Sequence, residues 1–399
     1  MIKLLDLKNH SVIAINQNNY TKEDNYKKVC YLDTDNITNN RINAFLKIDL
    51  TKEKLPSRAK RKCSLNSIIY SSVRPNQRHF GIIKEIPKNF LVSTAFIVID
   101  IIDLKKLDPN YLYYYITQDK ITHYLQRIAE CGTSSYPSIT PLDFLNIKIK
   151  LYPLETQQKI ARTLSILDQK IENNHKINEL LHKILELLYE QYFVRFDFLD
   201  ENNKPYQTSG GKMKFSKELN RLIPSGWSVR FLNHKIVSTY QPKTISKTLL
   251  NDSYSYSVYG GGGIIGRFTE YNHEQSEFII SCRGQCGISY LTLPKSWITG
   301  NAMVIRPTKS YTSKTYLYHT IKKYKLTNYI TGSVQPQITR QNLSTMPILI
   351  PKRKTLNKWN NISSLLWNLI HNNMQSTQTL TAIRDFLLPL LLKQQVKPQ

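Results

Sequence analysis

The residues of this sequence best suited to chemistry are arginines, lysines and glutamines that cluster in turn-rich segments. Four cationic side chains lie within residues 58–62, and two arginines follow in the polar segment 72–79. Lysine and arginine bind phosphate oxygens, whereas arginine, lysine, asparagine and glutamine also hydrogen-bond to base edges. The second half of the chain holds similar residues in similar surroundings. We therefore predict that DNA is contacted by Arg58, Lys60, Arg61, Lys62, Arg74, Arg78, Arg267, Arg283, Gln285, Gln335, Gln337 and Arg340.

These residues indicate faces of the protein and not individual base contacts. Aromatic side chains lie among those of the second half: Tyr256, Tyr259, Phe268 and Tyr271. A single arginine in such a group is more often a phosphate contact or a solvated side chain than a reader of bases. The sequence leaves open which members of the set read bases.

The sequence offers no recognisable set of catalytic residues. It lacks the Gly-x-x-x-x-Gly-Lys-Ser/Thr loop of ATP-driven motors and the Asn/Asp-Pro-Pro-Tyr/Phe motif of adenine methyltransferases. Residues 201–350 contain only six acidic side chains, which is too few to suggest a Mg²⁺ site for a nuclease. Four histidines lie apart from any Ser, Cys or carboxylate group in sequence: His79, His123, His273 and His319. We expect no catalytic residue, cofactor or metal in this chain.

Two short motifs resemble ligand sites but are incomplete. Cys282 and Cys286 resemble half of a zinc site, yet no second pair of ligands accompanies them, so two strand or loop cysteines are favoured. The glycine run 260–263 reads as a turn, because no Gly-Lys-Ser/Thr follows it and Arg267 arrives alone. The odd count of five cysteines indicates reduced thiols.

The charge of the chain is concentrated in two blocks. Lysine and arginine number 55 against 29 acidic residues, a formal charge of +26. Residues 1–150 carry 23 basic and 14 acidic side chains, residues 201–350 carry 19 and 6, and residues 151–200 carry 6 and 8. An excess of this size is best neutralised by a polyanion, and its division into two blocks points to nucleic acid as the partner.

Nothing in the sequence predicts a membrane segment. Charged residues interrupt the leucines of the first ten positions, which argues against a signal peptide. The longest apolar run, residues 90–102, contains Asp100 and is too short to span a bilayer. We expect a cytoplasmic protein that does not bind membranes.

An internal repeat relates the two halves of the chain. With an offset of 199, residues 136–140 align with 335–339, and each segment precedes an apolar run that ends near proline. With a slightly larger offset, residues 91–99 resemble 297–305 and Tyr111-Leu112-Tyr113 resembles Tyr316-Leu317-Tyr318. The shared order of these matches indicates two copies of one unit, each with a β-rich part followed by a helix.

Two long helices are predicted, over residues 155–193 and 356–392. The first segment holds no Gly or Pro, and its apolar residues recur at alternating steps of four and three. About 39 residues of helix span roughly 58 Å, so each helix needs a partner, which the repeat supplies. Asparagines near the midpoint should limit the register of pairing. We expect pairing through Leu164, Leu167, Ile171, Asn174, Leu181, Leu366, Ile370, Asn373, Leu380 and Leu387.

These patterns predict an α+β protein. Two similar domains, residues 1–150 and 201–350, mix β-sheet and helices. Two long antiparallel coiled-coil helices, within residues 151–200 and 351–399, separate them in a pseudo-twofold arrangement. Because each helix follows a basic block, the pairing of the helices would fix the distance between the blocks.

Several segments resemble the specificity subunits of type I restriction-modification systems. The most specific match runs from Leu151-Tyr152-Pro153-Leu154-Glu155-Thr156-Gln157-Gln158 through Leu167-Asp168-Gln169-Lys170-Ile171 to Tyr192-Phe193. Ile223-Pro224-Ser225-Gly226-Trp227 is similar to the opening of the family's second target-recognition domain, and residues 259–266 and 279–287 resemble its interior. The resemblance covers nearly the whole chain.

This resemblance implies two target-recognition domains that read the two halves of a bipartite double-stranded DNA site. The helices would set the unread spacer and dock two methylation subunits, which carry S-adenosylmethionine and methylate adenine. With two added motor and nuclease subunits, such an assembly restricts unmodified DNA. The chain departs from the family pattern at two places: no Pro-x-Gly-Trp precedes the first basic block, and the second helix opens with residues 354–358 in place of a Glu-x-Gln-Gln start.

Two other classes of function remain open on the sequence alone. An autonomous DNA enzyme, such as a nuclease with an unrecognised site, would cleave duplex DNA by itself with Mg²⁺. An adaptor whose helices bind proteins, and whose charge is incidental, would give its complex no sequence preference.

Overall fold

The computed structural model of the protein describes residues 1–38, 40–131, 136–251, 254–332 and 335–397. The chain forms two compact units. The first unit comprises Met1–Glu172 together with Thr377–Gln399, and the second comprises Asn173–Ser376. The two long helical segments are therefore each shared between the units and form no unit of their own.

The first unit combines short strands with four short helices. Its strands are β1 (Ile2–Lys3), β2 (Ile13–Ile15), β3 (Lys28–Leu32), β4 (Ile37–Thr38), β5 (Arg41–Ile42), β6 (Leu46–Asp49), β7 (Ala59–Arg61), β8 (Ile68–Ser71), β9 (Phe80–Ile82), β10 (Phe90–Ser93), β11 (Phe96–Ile101) and β12 (Lys148–Ile149). Its short helices are α1 (Leu4–Asn9), α2 (Pro109–Ile116), α3 (Asp119–Glu130) and α4 (Pro141–Leu145). Single 3-10 turns occupy Lys22–Asp24, Thr34–Asn36 and Pro75–Gln77.

Two four-stranded sheets organise the core of the first unit. The sheet β2-β11-β8-β9 is antiparallel throughout, whereas β6-β3-β10-β7 is mixed because β10 runs parallel to β3. Successive strand residues point to opposite faces, so β11 serves two cores. Ile97 and Ile99 pack in the core that contains α2, while Phe96 and Val98 pack with Phe90 of the mixed sheet.

The second unit has the same kinds of elements. Its strands are β13 (Met213–Ser216), β14 (Arg221–Pro224), β15 (Ser228–Phe231), β16 (Val237–Tyr240), β17 (Tyr256–Gly260), β18 (Gly263–Phe268), β19 (Phe278–Ser281), β20 (Ser289–Leu291), β21 (Trp297–Ile298), β22 (Ala302–Pro307), β23 (Ile330–Thr331), β24 (Gln337–Ile338) and β25 (Pro347–Ile350). The long helix α5 (Leu154–Tyr189), followed by the π-helical turn Glu190–Val194, precedes them in the chain. The remaining helices are α6 (Lys314–Lys322), α7 (Arg340–Leu343) and the long α8 (Arg353–Lys393), with 3-10 turns at Lys247–Leu249 and Leu326–Tyr329.

The predicted repeat is confirmed by matching topologies. The antiparallel sheet of the second unit has the order β16-β22-β19-β20, which corresponds strand by strand to β2-β11-β8-β9. Each following helix has a side-chain cap, because Asp108 accepts from the backbone N of Tyr111 and Ser313 accepts from that of Tyr316. Both of these tyrosines are fully buried and donate their hydroxyl to a backbone carbonyl just before a long helix.

Within each unit, parts of α5 and α8 pack in antiparallel directions. In the first unit, Asp168 contacts Arg384 at 2.8 Å and the hydroxyl of Tyr152 donates to the carbonyl of Leu392. In the second unit, the Asn373 side chain donates to Oδ1 of Asn178 at 2.9 Å. The polar groups near the midpoint therefore hydrogen-bond to each other.

The heptad positions of both long helices are shielded from solvent. Leu164 and Ile370 are fully buried. The other predicted pairing residues are half-buried: Leu167, Ile171, Asn174, Leu181, Leu366, Asn373, Leu380 and Leu387. The helix bounds lie within one to four residues of the predicted ones. Among the described residues, no helix has the length and apolar character needed to cross a membrane.

Candidate nucleic-acid interface

The loop of residues 72–78, here called the first loop, follows β8 and carries Arg74 and Arg78. The backbone N of Arg74 donates to the carbonyl of Pro137 at 2.9 Å, and Ile139 donates to the carbonyl of Ser72 at 2.8 Å. The repeated segment 136–139 thus fastens the first loop at its start. Arg74 itself is exposed, with its guanidinium carbon 5.6 Å from the ring centre of Tyr136.

Both arginines of the first loop have left-handed backbone conformations. The φ angle is 46° at Arg74 and 56° at Arg78, a region that side chains with a Cβ avoid. Their side chains have different surroundings, because Arg78 forms an ion pair with Asp119 at 2.8 Å. A phosphate would have to compete with that carboxylate for Arg78.

Backbone hydrogen bonds bring Arg58 close to the first loop. The backbone N of Thr94 donates to the carbonyl of Arg58. Ala95, the residue after Thr94, accepts a hydrogen bond at its carbonyl from the backbone N of Ser72. The turn between β10 and β11 therefore lies between Arg58 and the first loop. Arg58 is exposed, as is Lys60 two residues further along β7.

The other two cations of the 58–62 cluster are less available. Burial lowers the pKa of Arg61, whose guanidinium reaches the carbonyl of Thr94. Lys62 bonds to Asp24 at 2.6 Å, and this contact raises the pKa of the lysine and lowers that of the aspartate. Arg61 and Lys62 therefore have partners within the protein that the sequence pattern did not indicate.

The loop of residues 282–287, here called the second loop, is the counterpart in the second unit. Ile338 donates to the carbonyl of Cys282 at 3.1 Å, and Arg283 forms a β-bridge with Gln337. The side chains of Arg283, Gln285 and Gln337 are exposed. The structure thus brings together three predicted residues that are up to 54 positions apart in the chain.

The glycine run 260–263 forms the tight β17–β18 turn beside the second loop. A Cβ built on Gly261 would lie 2.7 Å from the carbonyl oxygen of Arg283, so only glycine allows this approach. The run 261–266 also spells Gly-x-Gly-x-x-Gly, but it joins two antiparallel strands. Without a helix after the glycines, this turn lacks the helix N-terminus that binds a dinucleotide pyrophosphate.

Three other predicted residues of the second unit do not belong to the second loop: Arg267, Gln335 and Arg340. Arg267 donates to the backbone carbonyls of Tyr254 and Ser255 at 3.0 and 3.2 Å, at the opposite end of the β17–β18 hairpin from the glycines. Gln335 is exposed two residues before Gln337. Arg340 is the exposed first residue of α7.

The sequence pattern missed two polar residues beside the second loop. Nε2 of Gln241 donates to Sγ of Cys282 at 2.8 Å, and the carbonyl of Asn301 accepts from Cys282 and Arg283. Both side chains belong to exposed residues. The repeat alignment places Asn301 opposite Ala95, next to the first loop, and this was the signal that could have identified it.

The histidines and cysteines have surroundings that fit structural roles. His273 bonds to the hydroxyl of Tyr240, and burial lowers the pKa of His319 to about 3. Cys282 is fully buried, and burial raises the pKa of its thiol, which makes it a poor nucleophile. No three His, Cys, Asp or Glu side chains within the described part of the chain are grouped so that they could hold a metal ion.

The long helices expose two sets of apolar side chains that the repeat relates. In the first unit, Ile166, Ile383 and Phe386 are 44%, 41% and 69% exposed; we call them the first apolar patch. In the second unit, Leu365, Ile184 and Leu187 occupy the repeat-equivalent positions and are 62%, 44% and 56% exposed; we call them the second apolar patch. A contact between α5 and α8 lies beside each patch: Asp168 with Arg384 beside the first, and His182 with Trp367 beside the second. The members of each patch therefore lie at a similar height along the two helices.

Known proteins resemble this chain over most of its length. A family model for the type I restriction modification DNA specificity domain matches residues 8–183 and 224–382. The HindI type I restriction enzyme specificity subunit of Haemophilus influenzae is 23% identical over 93% of this chain and 95% of its own length. The MjaIX specificity subunit of Methanocaldococcus jannaschii is 25% identical over 71% of this chain and 68% of its own length.

The fold also occurs among solved structures. The S subunit of a type I restriction-modification system from M. genitalium aligns over 98% of this chain and 95% of its own, with a TM-score of 0.56 and 15% sequence identity. The two halves of this chain therefore match both the domain pattern and the architecture of these proteins.

Proposed function

The chain belongs to the family of type I restriction-modification DNA specificity proteins, and from this we propose that it reads a bipartite DNA site for a methylation and restriction complex. The observation that carries the proposal is the duplicated framework of sheet, loop and fastening segment. In each unit, one loop follows an equivalent strand of the antiparallel sheet, β8 in the first unit and β19 in the second. This loop is hydrogen-bonded to an x-Pro-x-Ile segment and carries an exposed arginine. Two such sites in one chain suit a target with two half-sites.

The chain contributes recognition and no catalysis in this proposal. Arginine, lysine and glutamine side chains supply phosphate and base contacts, and these need no cofactor. The chemistry would come from two methylation subunits that bind S-adenosylmethionine and transfer its methyl group to adenine. Two motor and nuclease subunits would join in complexes that also restrict DNA. Such an assembly acts on chromosomal DNA in the cytoplasm.

The two apolar patches support the docking of two copies of one partner. Large apolar side chains exposed in a cluster are typical of protein interfaces, because their burial releases water. The repeat relates the first apolar patch to the second, so a partner that fits one has a similar surface on the other. Phe386 and Leu187 are equivalent and among the most exposed members, which makes them the first residues to test.

We propose further that α5 and α8 set the number of base pairs between the half-sites. A helix rises 1.5 Å per residue, so four added residues lengthen it by about 6 Å, or one to two base pairs. The insertion is placed after Asn173 in α5 and after Ser376 in α8, which are opposite each other in the antiparallel pairing. The pairing on both sides of the insertion then keeps its register.

The deciding experiment is co-expression with the methylation subunit encoded beside this chain, followed by sequencing of methylated adenines. We expect a bipartite target in the wild type and the same half-sites with a longer spacer in the double-insertion variant. Four residues inserted after Asn202, in an exposed turn, should leave the spacer unchanged. An unchanged spacer in the double-insertion variant would contradict the role of the helices, and an absent or undivided target would contradict the function itself.

A further inference from the structure

The two loops present an arginine from nearly the same position. Ile139 donates to Ser72 in the first unit as Ile338 donates to Cys282 in the second, so these two acceptors are equivalent. By this register Arg283 corresponds to Val73, and Arg74 corresponds to Gly284. Each loop therefore carries one exposed arginine, displaced by a single residue between the two units.

Both loops hold their arginine on a constrained backbone. In the second loop, the hydroxyl of Ser281 donates to the carbonyl of Gln285 and accepts from the backbone N of Ile288. Gly261 fits closely against the carbonyl of Arg283 on one side, and Gln337 pairs with Arg283 on the other. Side chains carried on such a backbone lose less conformational entropy on binding.

The first loop accepts an unfavourable backbone conformation to carry its arginine. Arg74 has φ of 46° where the equivalent residue of the second loop, Gly284, has φ of 75°. Glycine adopts this conformation without strain, whereas a residue with a Cβ does not, and such strain is concentrated at functional sites. Asn76 donates to the side chain of Gln126 in α3, which holds the loop from its other end. Among the described residues, no contact within the loop requires arginine at position 74.

Arg74 and Arg283 also differ in their partners from several other arginines of the chain. Arg78, Arg306 and Arg384 each form an ion pair, with Asp119, Glu277 and Asp168 respectively. Within the described ranges, neither Arg74 nor Arg283 has a carboxylate partner, and the guanidinium carbon of Arg74 lies 5.6 Å from the ring centre of Tyr136. Their guanidinium groups keep their full hydrogen-bonding capacity for a ligand.

We propose that Arg74 and Arg283 are base-reading residues, each of which binds a guanine in the half-site recognised by its own unit. The planar guanidinium donates two parallel hydrogen bonds to O6 and N7 of guanine in the major groove, and no other base offers that pair of acceptors. The inference rests on the proposed function. It adds that each half-site contains a guanine and names the side chain that selects it.

The test uses complete complexes formed with the methylation subunit, in which Arg74 or Arg283 is replaced by alanine or by lysine. Methylated adenines are mapped by sequencing for each complex. We expect Arg74→Ala to relax one guanine position in one half-site and Arg283→Ala to relax one in the other half-site. Preference for guanine at that position should fall by about 10- to 100-fold, and the rest of the target should remain unchanged.

The lysine variants separate base reading from phosphate binding. Lysine keeps the charge but replaces the rigid planar guanidinium with a rotating ammonium group. Arg74→Lys and Arg283→Lys should therefore relax the same positions as the alanine variants, but less completely. If the lysine variants keep the wild-type target, while alanine weakens methylation equally at all sites, the arginines are phosphate contacts and the inference is wrong. If an alanine variant does not assemble, its lysine counterpart decides: a weaker preference for guanine at one position supports base reading, and an unchanged target contradicts it.

Control substitutions and the wild type distinguish failure of the inference from failure of the function. Lys105→Ala, beyond the end of β11 opposite the first loop, and Arg230→Ala, on β15 of the second unit, each remove one exposed positive charge and should leave the target sequence unchanged. A wild-type complex without a bipartite target overturns the proposed function. A bipartite target that lacks guanine in a half-site, or that survives both alanine variants unchanged, overturns only this inference.

Discussion

The two units stabilise equivalent places in their cores by different chemistry. In the first unit, the hydroxyl of Tyr114 donates to Asp168 at 2.6 Å, and Asp168 pairs with Arg384 at 2.8 Å. The repeat places three other residues at these positions in the second unit: His319, Trp367 and Leu185. A polar network in one copy is thus replaced by rings and an apolar side chain in the other.

The difference shows which property of these positions the fold requires. Trp367 lies 5.1 Å from the ring of His182, 5.5 Å from that of Tyr318 and 6.4 Å from that of His319. The volume is filled in both units, but only the first unit depends on matched charges. Buried charges need their partners, whereas rings need only close packing. A substitution at one of these positions therefore needs a matching neighbour in the first unit and a matching volume in the second.

The largest effect is expected where the second unit loses its central ring. Trp367→Ala leaves a cavity in the ring cluster and should lower the free energy of unfolding of the second unit by about 4 kcal/mol. Hydrogen exchange resolved by residue would measure the loss separately in the two units. Trp367→Phe keeps part of the packing and should cost less than half as much. Equal losses from both variants would show that packing is not what the tryptophan supplies.

A somewhat smaller effect is expected from breaking the ion pair in the first unit. Arg384→Leu introduces the residue type that the second unit has at the equivalent position, Leu185. The substitution leaves Asp168 without its positively charged partner. The expected cost is about 3 kcal/mol, because a partly buried charge then lacks a partner. Asp385→Asn removes only the more exposed partner of Arg384 and should cost about 0.5 kcal/mol. Denaturant unfolding of the two variants compares them directly.

Acid should destabilise the second unit more than the first. Burial lowers the pKa of His319 to about 3 and that of His371 to about 4, below the ordinary value of 6.5. As the pH falls from 7 to 5, the unfolded chain binds protons that the folded unit does not, so stability decreases in this window. We expect each of the two histidines to contribute a loss of about 2 kcal/mol, which hydrogen exchange at both pH values would measure. In His319→Phe the loss should be smaller; an undiminished loss would assign the acid sensitivity to other groups.

The smallest effect is expected when phenylalanine replaces Tyr114 or His319, which occupy equivalent positions in the two units. Tyr114→Phe removes a hydrogen bond to a carboxylate and should cost about 1.5 kcal/mol. His319→Phe at pH 7 should cost almost nothing, because Nε2 of His319 is buried without a hydrogen-bond partner in the described structure. Thermal unfolding of the two variants at pH 7 tests this. Similar costs would mean that the two units are stabilised more alike than their side chains indicate.

The sequence predicted the architecture more completely than the site. Periodicity and the repeat are regular patterns, and they located the β-rich part of each unit, the equivalent tyrosines Tyr111 and Tyr316, and the long helices. These features depend on local spacing and on apolar burial, both of which can be read along the chain. The sharing of each long helix between two units could not be read this way, because it depends on contacts between residues more than 200 positions apart.

The candidate site was predicted as a set of residue types and not as an arrangement. Arg78 and Lys62 looked like any exposed cations, yet Asp119 and Asp24 pair with them across 41 and 38 positions. Arg267 is held by two backbone carbonyls, which no residue pattern announces. Partner choice for a charged side chain is decided by the folded surroundings, so a list of cations always includes some that bind their own protein.

The composition of the first unit has a consequence for the synthesis of the chain. Its core includes Leu391 and Leu392, which are buried together with Leu4 and Leu164. A ribosome makes these leucines only after all of residues 173–376, so the second unit can be completed while the first still lacks part of its core. The half of the protein that is translated first is thus the last to finish folding, and a premature stop codon near position 377 would damage the beginning of the chain more than its middle.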